Sequence, residues 1–326
     1  MMVHRLLDVG DSGPLGLIRD VLREVWEAES LESMYVPVRT PENPTPQSCW
    51  LSDKNELNNA DPLAPVMETN HAGDVLAYLK EEDKSRVGVF LHPCETRSLR
   101  IITEDTEVDL SNHFLMSADC LAVYEQDDFV DKSAGHERGV LTQETLRFAR
   151  LGGILPSRYR IGCQLCERPF AEQLDLYFQL FGLQTSEHIG VSLRTRTSIS
   201  AIETRFSIDD VPNEVMIRRR EVLGQLESWR SRSIEETGEN LDNEISTVDA
   251  LSAHLAGCTS CHARLLAHCP SSPYTHMRSD LPDSNDIISW LSTCGGCGMC
   301  EHECPDGFPL FKVIITLRKK LEVAQA

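Results

Sequence analysis

The chain carries twelve cysteines in 326 residues, and seven of them fall between Cys258 and Cys304. The most regular run is Cys294-Gly-Gly-Cys297-Gly-Met-Cys300-Glu-His-Glu-Cys304-Pro305. A C-x2-C-x2-C-x3-C-P spacing lets one tight loop aim three thiolates at a single [4Fe–4S] cubane. Glycines between the thiols permit the positive φ angles and close backbone approach that such a loop needs. Pro305 ends the loop and sets the direction of the fourth thiol.

A second run, Cys258-Thr-Ser-Cys261 through Cys269-Pro270, is related to the first but defective. Counted from Cys258, the third and fourth ligands would fall at 264 and 268. Arg264 and His268 stand there, and Cys269-Pro270 arrives one residue late. Where two such runs pair, the fourth cysteine of each serves the other cluster. That rule groups Cys294, Cys297 and Cys300 with Cys269, and leaves Cys258, Cys261 and Cys304 one ligand short. Three resolutions are open: a non-cysteine ligand such as His262 or His268, a three-coordinate or three-iron cluster, or a site without metal. Zinc competes by pairing Cys258/Cys261 with Cys294/Cys297 as two knuckles, which leaves Cys269, Cys300 and Cys304 unused.

The remaining cysteines are dispersed. Cys163-Gln-Leu-Cys166 is a C-x2-C pair of a kind that chance supplies at this composition. Cys94 follows the apolar segment RVGVFLHP, and Cys120 follows Asp119 within the next strand-like segment. Strand ends of an α/β sheet converge on one edge. This makes Cys94, Cys120, Cys163 and Cys166 candidates for a further cubane, against the alternative of buried, inert thiols. Cys49 has no partner in this scheme.

The elements that must position these thiols alternate between helical and strand-like periods. Helical patterns cover Gly13–Ser30, Asp74–Lys80, Thr96–Glu104, Thr142–Leu151, Asn213–Arg232 and Pro309–Val323. Strand-like segments are Arg86–His92, His113–Tyr124, Leu174–Phe181 and His188–Arg194. Four prolines in the ten residues Pro37–Pro46 read as an extended loop, and RIGCQLCERPF reads as a turn. Ser233–Ser246 holds five acidic and no basic residues and reads as a solvated linker. These patterns predict an α/β (α+β) N-terminal domain over residues 1–235 and a mostly helical iron–sulfur module over 236–326.

The net charge of −20 argues against nucleic acid or an anionic membrane as partner. No apolar run approaches the ~18 residues of a membrane span. The first residues lack a signal-peptide pattern, and heavy cysteine use without disulfides fits a reducing compartment; a cytoplasmic location is expected. Arg218-Arg219-Arg220 is the one basic run, and it reads as a solvated helix face pairing with Glu214, Glu221 and Glu227. His92, beside Cys94, reads as a structural histidine. No Ser-His-Asp order or paired carboxylates suggest catalysis by side chains alone.

GVFLHPCETRSLR, then ADCLAVYE, then RIGCQLCERPFAEQLDLYF resembles the beta-subunit family of coenzyme F420 hydrogenase/dehydrogenase. The C-terminal C-x2-C segments resemble the dicluster ferredoxin module fused to some relatives. The likeness covers roughly Arg86–Phe181 and Cys258–Leu310. It implies an iron–sulfur electron-transfer subunit of a multi-subunit oxidoreductase of hydrogenase, formate dehydrogenase or heterodisulfide-reductase type. Its partners would be other subunits of the complex and a small redox carrier or ferredoxin. In several relatives FAD exchanges a hydride with F420, but here no G-x-G-x-x-G follows a strand. The alternatives are a FAD-containing oxidoreductase subunit, or a zinc- or cluster-stabilised interaction module without electron flow.

Overall fold

The computed structural model describes all residues except 1, 42, 44, 82–85, 138, 153–158, 240, 242–244, 273–281, 302–303 and 326. Eight strands form one sheet in the order β3-β2-β4-β5-β6-β7-β1-β8. They are β1 (Val3–Asp8), β2 (Met34–Val38), β3 (Gln47–Leu51), β4 (Gly88–Phe90), β5 (Phe114–Ala118), β6 (Leu176–Gln179), β7 (His188–Leu193) and β8 (Ile208–Asp209). Neighbours β2, β4, β5 and β6 run parallel. The flanking pairs β2–β3, β6–β7, β1–β7 and β1–β8 are antiparallel.

The parallel centre is apolar on both sides, as a sheet covered by helices must be. Helices α1 (Gly13–Ala28) and α7 (Arg196–Arg205) lie together. Ile18, Val21, Leu22 and Val25 of α1 pack with Phe90, Phe114, Met116 and Phe178. A second apolar cluster joins Val75 and Leu76 of α2 (Ala72–Leu79) and Leu99 and Ile102 of α3 (Pro93–Thr106) to Val89, Leu115 and Tyr177. The alternation along strands decides which cluster each residue enters: Met116 faces one way, Leu115 the other. Three short helices follow β5: α4 (Gln126–Ser133), α5 (Val140–Arg147) and α6 (Ile161–Gln164).

The C-terminal part of the chain is helical, with α9 (Val248–Gly257), α10 (Thr259–His268), α11 (Ser284–Thr293) and α12 (Leu310–Gln325). Leu251, Leu255, Leu265, Ile287, Trp290 and Ile314 form its core. Leu165, next to α6, enters that core from the α/β part. None of the described helices is long and apolar enough to cross a membrane.

Three expectations are corrected. The Pro-rich segment begins inside β2, which takes up Pro37 and Val38 before the chain returns as β3. RIGCQLCERPF is not only a turn, because it contains α6. The acidic stretch does not begin as a linker: α8 (Asn213–Glu239) continues through Ser233–Glu239. Ile234 is its anchor, buried in the C-terminal core, while Glu235 stands exposed on the same turn. Residues 240 and 242–244 of the stretch lie outside the described ones.

Candidate metal centres

Twelve free thiols are present, and eleven of them fall into three groups. The first forms where two adjacent parallel strands end. The chain leaves β4 through His92-Pro93-Cys94 and β5 through Asp119-Cys120. His92 caps α3, its backbone N–H donating 2.9 Å to the Glu95 carboxylate in a reciprocal capping box. The Cys120 N–H donates to the Pro169 carbonyl at 2.7 Å. The loop that carries Pro169 follows α6, which bears Cys163 and leads to Cys166. All four cysteines line one cavity, whose wall also includes Cys297 and Arg230.

Asp119 fixes the strand end that delivers Cys120. Its buried carboxylate accepts hydrogen bonds from the Leu180 and Phe181 N–H groups at 2.6 and 2.8 Å, from Tyr177 and from Arg219 at 2.7 Å. Burial opposes the charge on Arg219, but the Asp119 carboxylate overrides it and raises the pKa of the guanidinium. Arg219 is therefore not the solvated residue that its run of arginines suggests: it reaches inward from α8 to this carboxylate.

The second group comprises Cys269, Cys294, Cys297 and Cys300. Cys269 caps the end of α10, and Cys294 caps the end of α11. Burial and then the Cys294 and Cys297 thiols push Cys269 up to about 12. Burial also raises Cys300 well above an ordinary thiol, with Cys294, Cys269 and Cys297 as the next largest influences. The loop follows the glycine logic of its sequence. Gly296 and Gly298 sit at φ +76° and +72°. A Cβ on Gly295 would come within 2.2 Å of Ser98 Oγ and 2.9 Å of the Cys94 carbonyl. A Cβ on Gly298 would come within 2.7 Å of Gly162 Cα. Arg97 of α3 donates to the Gly295 carbonyl at 3.1 Å and to the Arg168 carbonyl at 2.8 Å.

The glycine loop is thus pressed backbone to backbone against α6. Gly298→Ala combines a left-handed φ with that clash, and is expected to cost about 2–4 kcal/mol of stability. Urea denaturation measures it, and an unmoved midpoint would mean the contact has slack.

The third group is Cys258, Cys261 and a histidine absent from the sequence-level candidates. Cys258 ends α9 and begins α10, its sulfur accepting the Cys261 N–H at 3.4 Å. His254 Nε2 lies 3.5 Å from Cys261 Sγ, and the ligand atoms of His254, Cys258 and Cys261 lie within 4.8 Å of one another. The imidazole stacks on Phe308 with centroids 3.9 Å apart. Burial, then Cys258, then Cys304 push Cys261 up to about 12. His268 instead meets Thr69 Oγ1 at 3.2 Å. The signal for His254 was a four-residue step to Cys258, which puts both on one face of a helix. Cys49 stays apart, exposed on β3.

Do these surroundings suit a cationic centre? Burial pushes Cys163 up to about 11, despite the favourable Arg160 guanidinium beside it. It raises Cys94 and Cys120 further, with Cys297 the next largest influence on Cys94. Thiols this buried stay protonated unless positive charge offsets the desolvation, and bound iron supplies such charge. Arg230 points the same way. It is 5% exposed, and its Nε and one terminal nitrogen have no hydrogen-bond partner among the described residues. A buried, unpaired guanidinium on a cavity wall costs stability unless acceptors fill the cavity. The donor set and this orphaned cation fit an anionic thiolate-bound cluster.

Fold and site together define a mixed α/β protein with a helical C-terminal extension and grouped free cysteines of metal-ligand type. No known protein family matches the sequence, and no curated protein matches it either. Among solved structures, the chain is similar to one from the F420-reducing [NiFe] hydrogenase complex of Methanosarcina barkeri, with a TM-score of 0.51. The two are 11% identical over 73% of this chain and 92% of that one. The likeness is one of fold.

Proposed function

We propose that the protein is an iron–sulfur electron-transfer subunit of a cytoplasmic, multi-subunit oxidoreductase, with substrate chemistry on a partner. In this reading Cys269, Cys294, Cys297 and Cys300 hold one [4Fe–4S] cluster. Cys94, Cys120, Cys163 and Cys166 hold another, and Cys258, Cys261 and Cys304 contribute to a third metal centre. Bound clusters would supply one-electron transfer at potentials set by charge, burial and hydrogen bonds to sulfur.

The observation that carries the reading is Cys297. It belongs to the C-terminal run by sequence, yet it lines the cavity of the four cysteines from the α/β part. Groups this close exchange electrons without a mobile carrier. The fold likeness to a chain of a hydrogenase complex agrees with a subunit role. Anaerobic purification with iron and sulfide analysis tests it directly: the preparation should be brown, with dithionite-bleachable absorption. A colourless or zinc-only protein would end the proposal, and acid-extractable flavin would replace it with the FAD-containing alternative.

Arg230 gives this reading a finer test. Arg230 lines the same cavity as Cys120 and Cys163. Arg230→Met removes a charge that favours the reduced, more negative cluster. The potential should fall by on the order of 100 mV, from Coulomb's law at an effective dielectric near 20. Redox titration followed by EPR reads the shift, and an unchanged potential would place the guanidinium away from the cluster.

A further inference from the structure

His254, Cys258 and Cys261 meet where α9 ends and α10 begins, and their ligand atoms all lie within 4.8 Å of one another. We propose that these three side chains bind one divalent ion of zinc type, so that this centre is mononuclear and not a cluster. The site goes beyond the electron-transfer reading and does not depend on it, because a zinc ion has no redox chemistry.

Spacing argues first. A tetrahedral zinc ion holds sulfur at about 2.3 Å and nitrogen at about 2.0–2.1 Å, so its ligand atoms stand about 3.5–3.8 Å from one another. His254 Nε2 and Cys261 Sγ stand 3.5 Å apart. Ligands of separate iron corners would have to be spread more widely than this group is. Donor type argues second. Thiolates and imidazole suit zinc, whereas magnesium and calcium take oxygen donors. Three such donors leave a tetrahedron one position for a further ligand. Orientation argues third. Cys258 caps the N-terminus of α10, where the helix dipole favours a thiolate, and its sulfur accepts the Cys261 N–H at 3.4 Å. The His254 ring lies against Phe308, with centroids 3.9 Å apart and planes 22° from parallel. A metal-binding imidazole needs its plane fixed in this way. Access argues last. Cys261 is 1% exposed, but His254 walls a cavity of about 650 Å³ that reaches Trp229 and Lys312, and this cavity supplies an entry path for the ion.

The test uses the full chain, purified anaerobically and freed of loosely held metal by gel filtration. It should retain about one zinc ion per chain in addition to its iron, and X-ray absorption at the zinc edge should show sulfur at about 2.3 Å and imidazole nitrogen at about 2.0–2.1 Å. His254→Ala and Cys261→Ala should each weaken Zn2+ binding by more than about 100-fold, the most that loss of a ligand's outer partner typically costs. Competition with a chromogenic chelator reads that change. His254→Phe keeps an aromatic surface on Phe308 but offers no ligand, and should lose the zinc with the circular dichroism of the parent. His254→Cys restores a ligand and should restore the zinc. A parent that binds no zinc would overturn the site, as would parent affinity in both His254→Ala and Cys261→Ala. So would the loss of about four iron atoms per chain in Cys261→Ala, which would return the group to a cluster. The two readings fail separately. Brown protein with iron and sulfide but no zinc sinks the ion alone, whereas a colourless protein with zinc on these ligands keeps the site and sinks the electron-transfer reading.

Discussion

Cys297→Ala should remove about four iron atoms per chain and alter the EPR signal of the cluster that remains next to it. The first effect follows from the loss of one thiolate ligand in the C-terminal loop. On the proposed reading metal–ligand bonds also hold that loop together, so the C-terminal helices should lose several kcal/mol of stability with the metal. The second effect is particular to this chain. Cys297 lines the cavity of Cys94, Cys120, Cys163 and Cys166 as well, so its removal would change the surroundings of the second cluster proposed there. Cys49→Ala supplies the control: that thiol stands exposed on β3, and its loss should leave iron and spectrum unchanged. A Cys297→Ala protein with the parent's iron content would show that the C-terminal run holds no cluster through this residue.

Asp119→Ala should be the most damaging substitution outside the cysteines, at about 3–5 kcal/mol. The carboxylate is fully buried and pairs with Arg219. It also accepts two backbone N–H groups and the Tyr177 hydroxyl. Removing it strands a guanidinium in a low-dielectric setting and leaves three further donors unsatisfied. Breaking a buried pair costs more than replacing it, so Asp119→Leu combined with Arg219→Met should be less destabilising than Asp119→Ala alone. Chemical denaturation of both variants beside the parent decides the matter. A cost below about 1 kcal/mol for Asp119→Ala would mean that water reaches this pair.

Much of this arrangement is written locally in the chain, and the exceptions have a common cause. The α/β alternation was legible because buried parallel strands such as RVGVFLH are unbroken apolar runs, while α1 shows a clear helical stripe. β1 and β3 were not. VHRLLD and QSCWL mix polar with apolar residues because they lie toward the sheet margins, with less of their surface covered. Spacing and the convergence of strand ends singled out Cys94, Cys120, Cys163 and Cys166 as one set, and these four residues line one cavity. The polar residues around them were another matter. Arg219 and Arg230 look alike in sequence as members of an arginine-rich helix, yet one meets a carboxylate a hundred residues earlier and the other faces a thiol-lined cavity. His254 lies outside both cysteine runs, so a search within the runs passes it by. Tertiary placement, not composition, gives these three side chains their partners.

The unbroken course of α8 has a mechanical consequence. Val222 sits in the core on the sheet, and Ile234, three turns later, sits in the core of the C-terminal helices. One rod is therefore nailed down in both halves of the molecule, and a hinge at this point would have to break its backbone ladder. For the proposed relay this would matter, because tunnelling rates decay steeply with gap width. Thermal jostling between the halves would make the current stutter; a shared stiff strut keeps the gap constant.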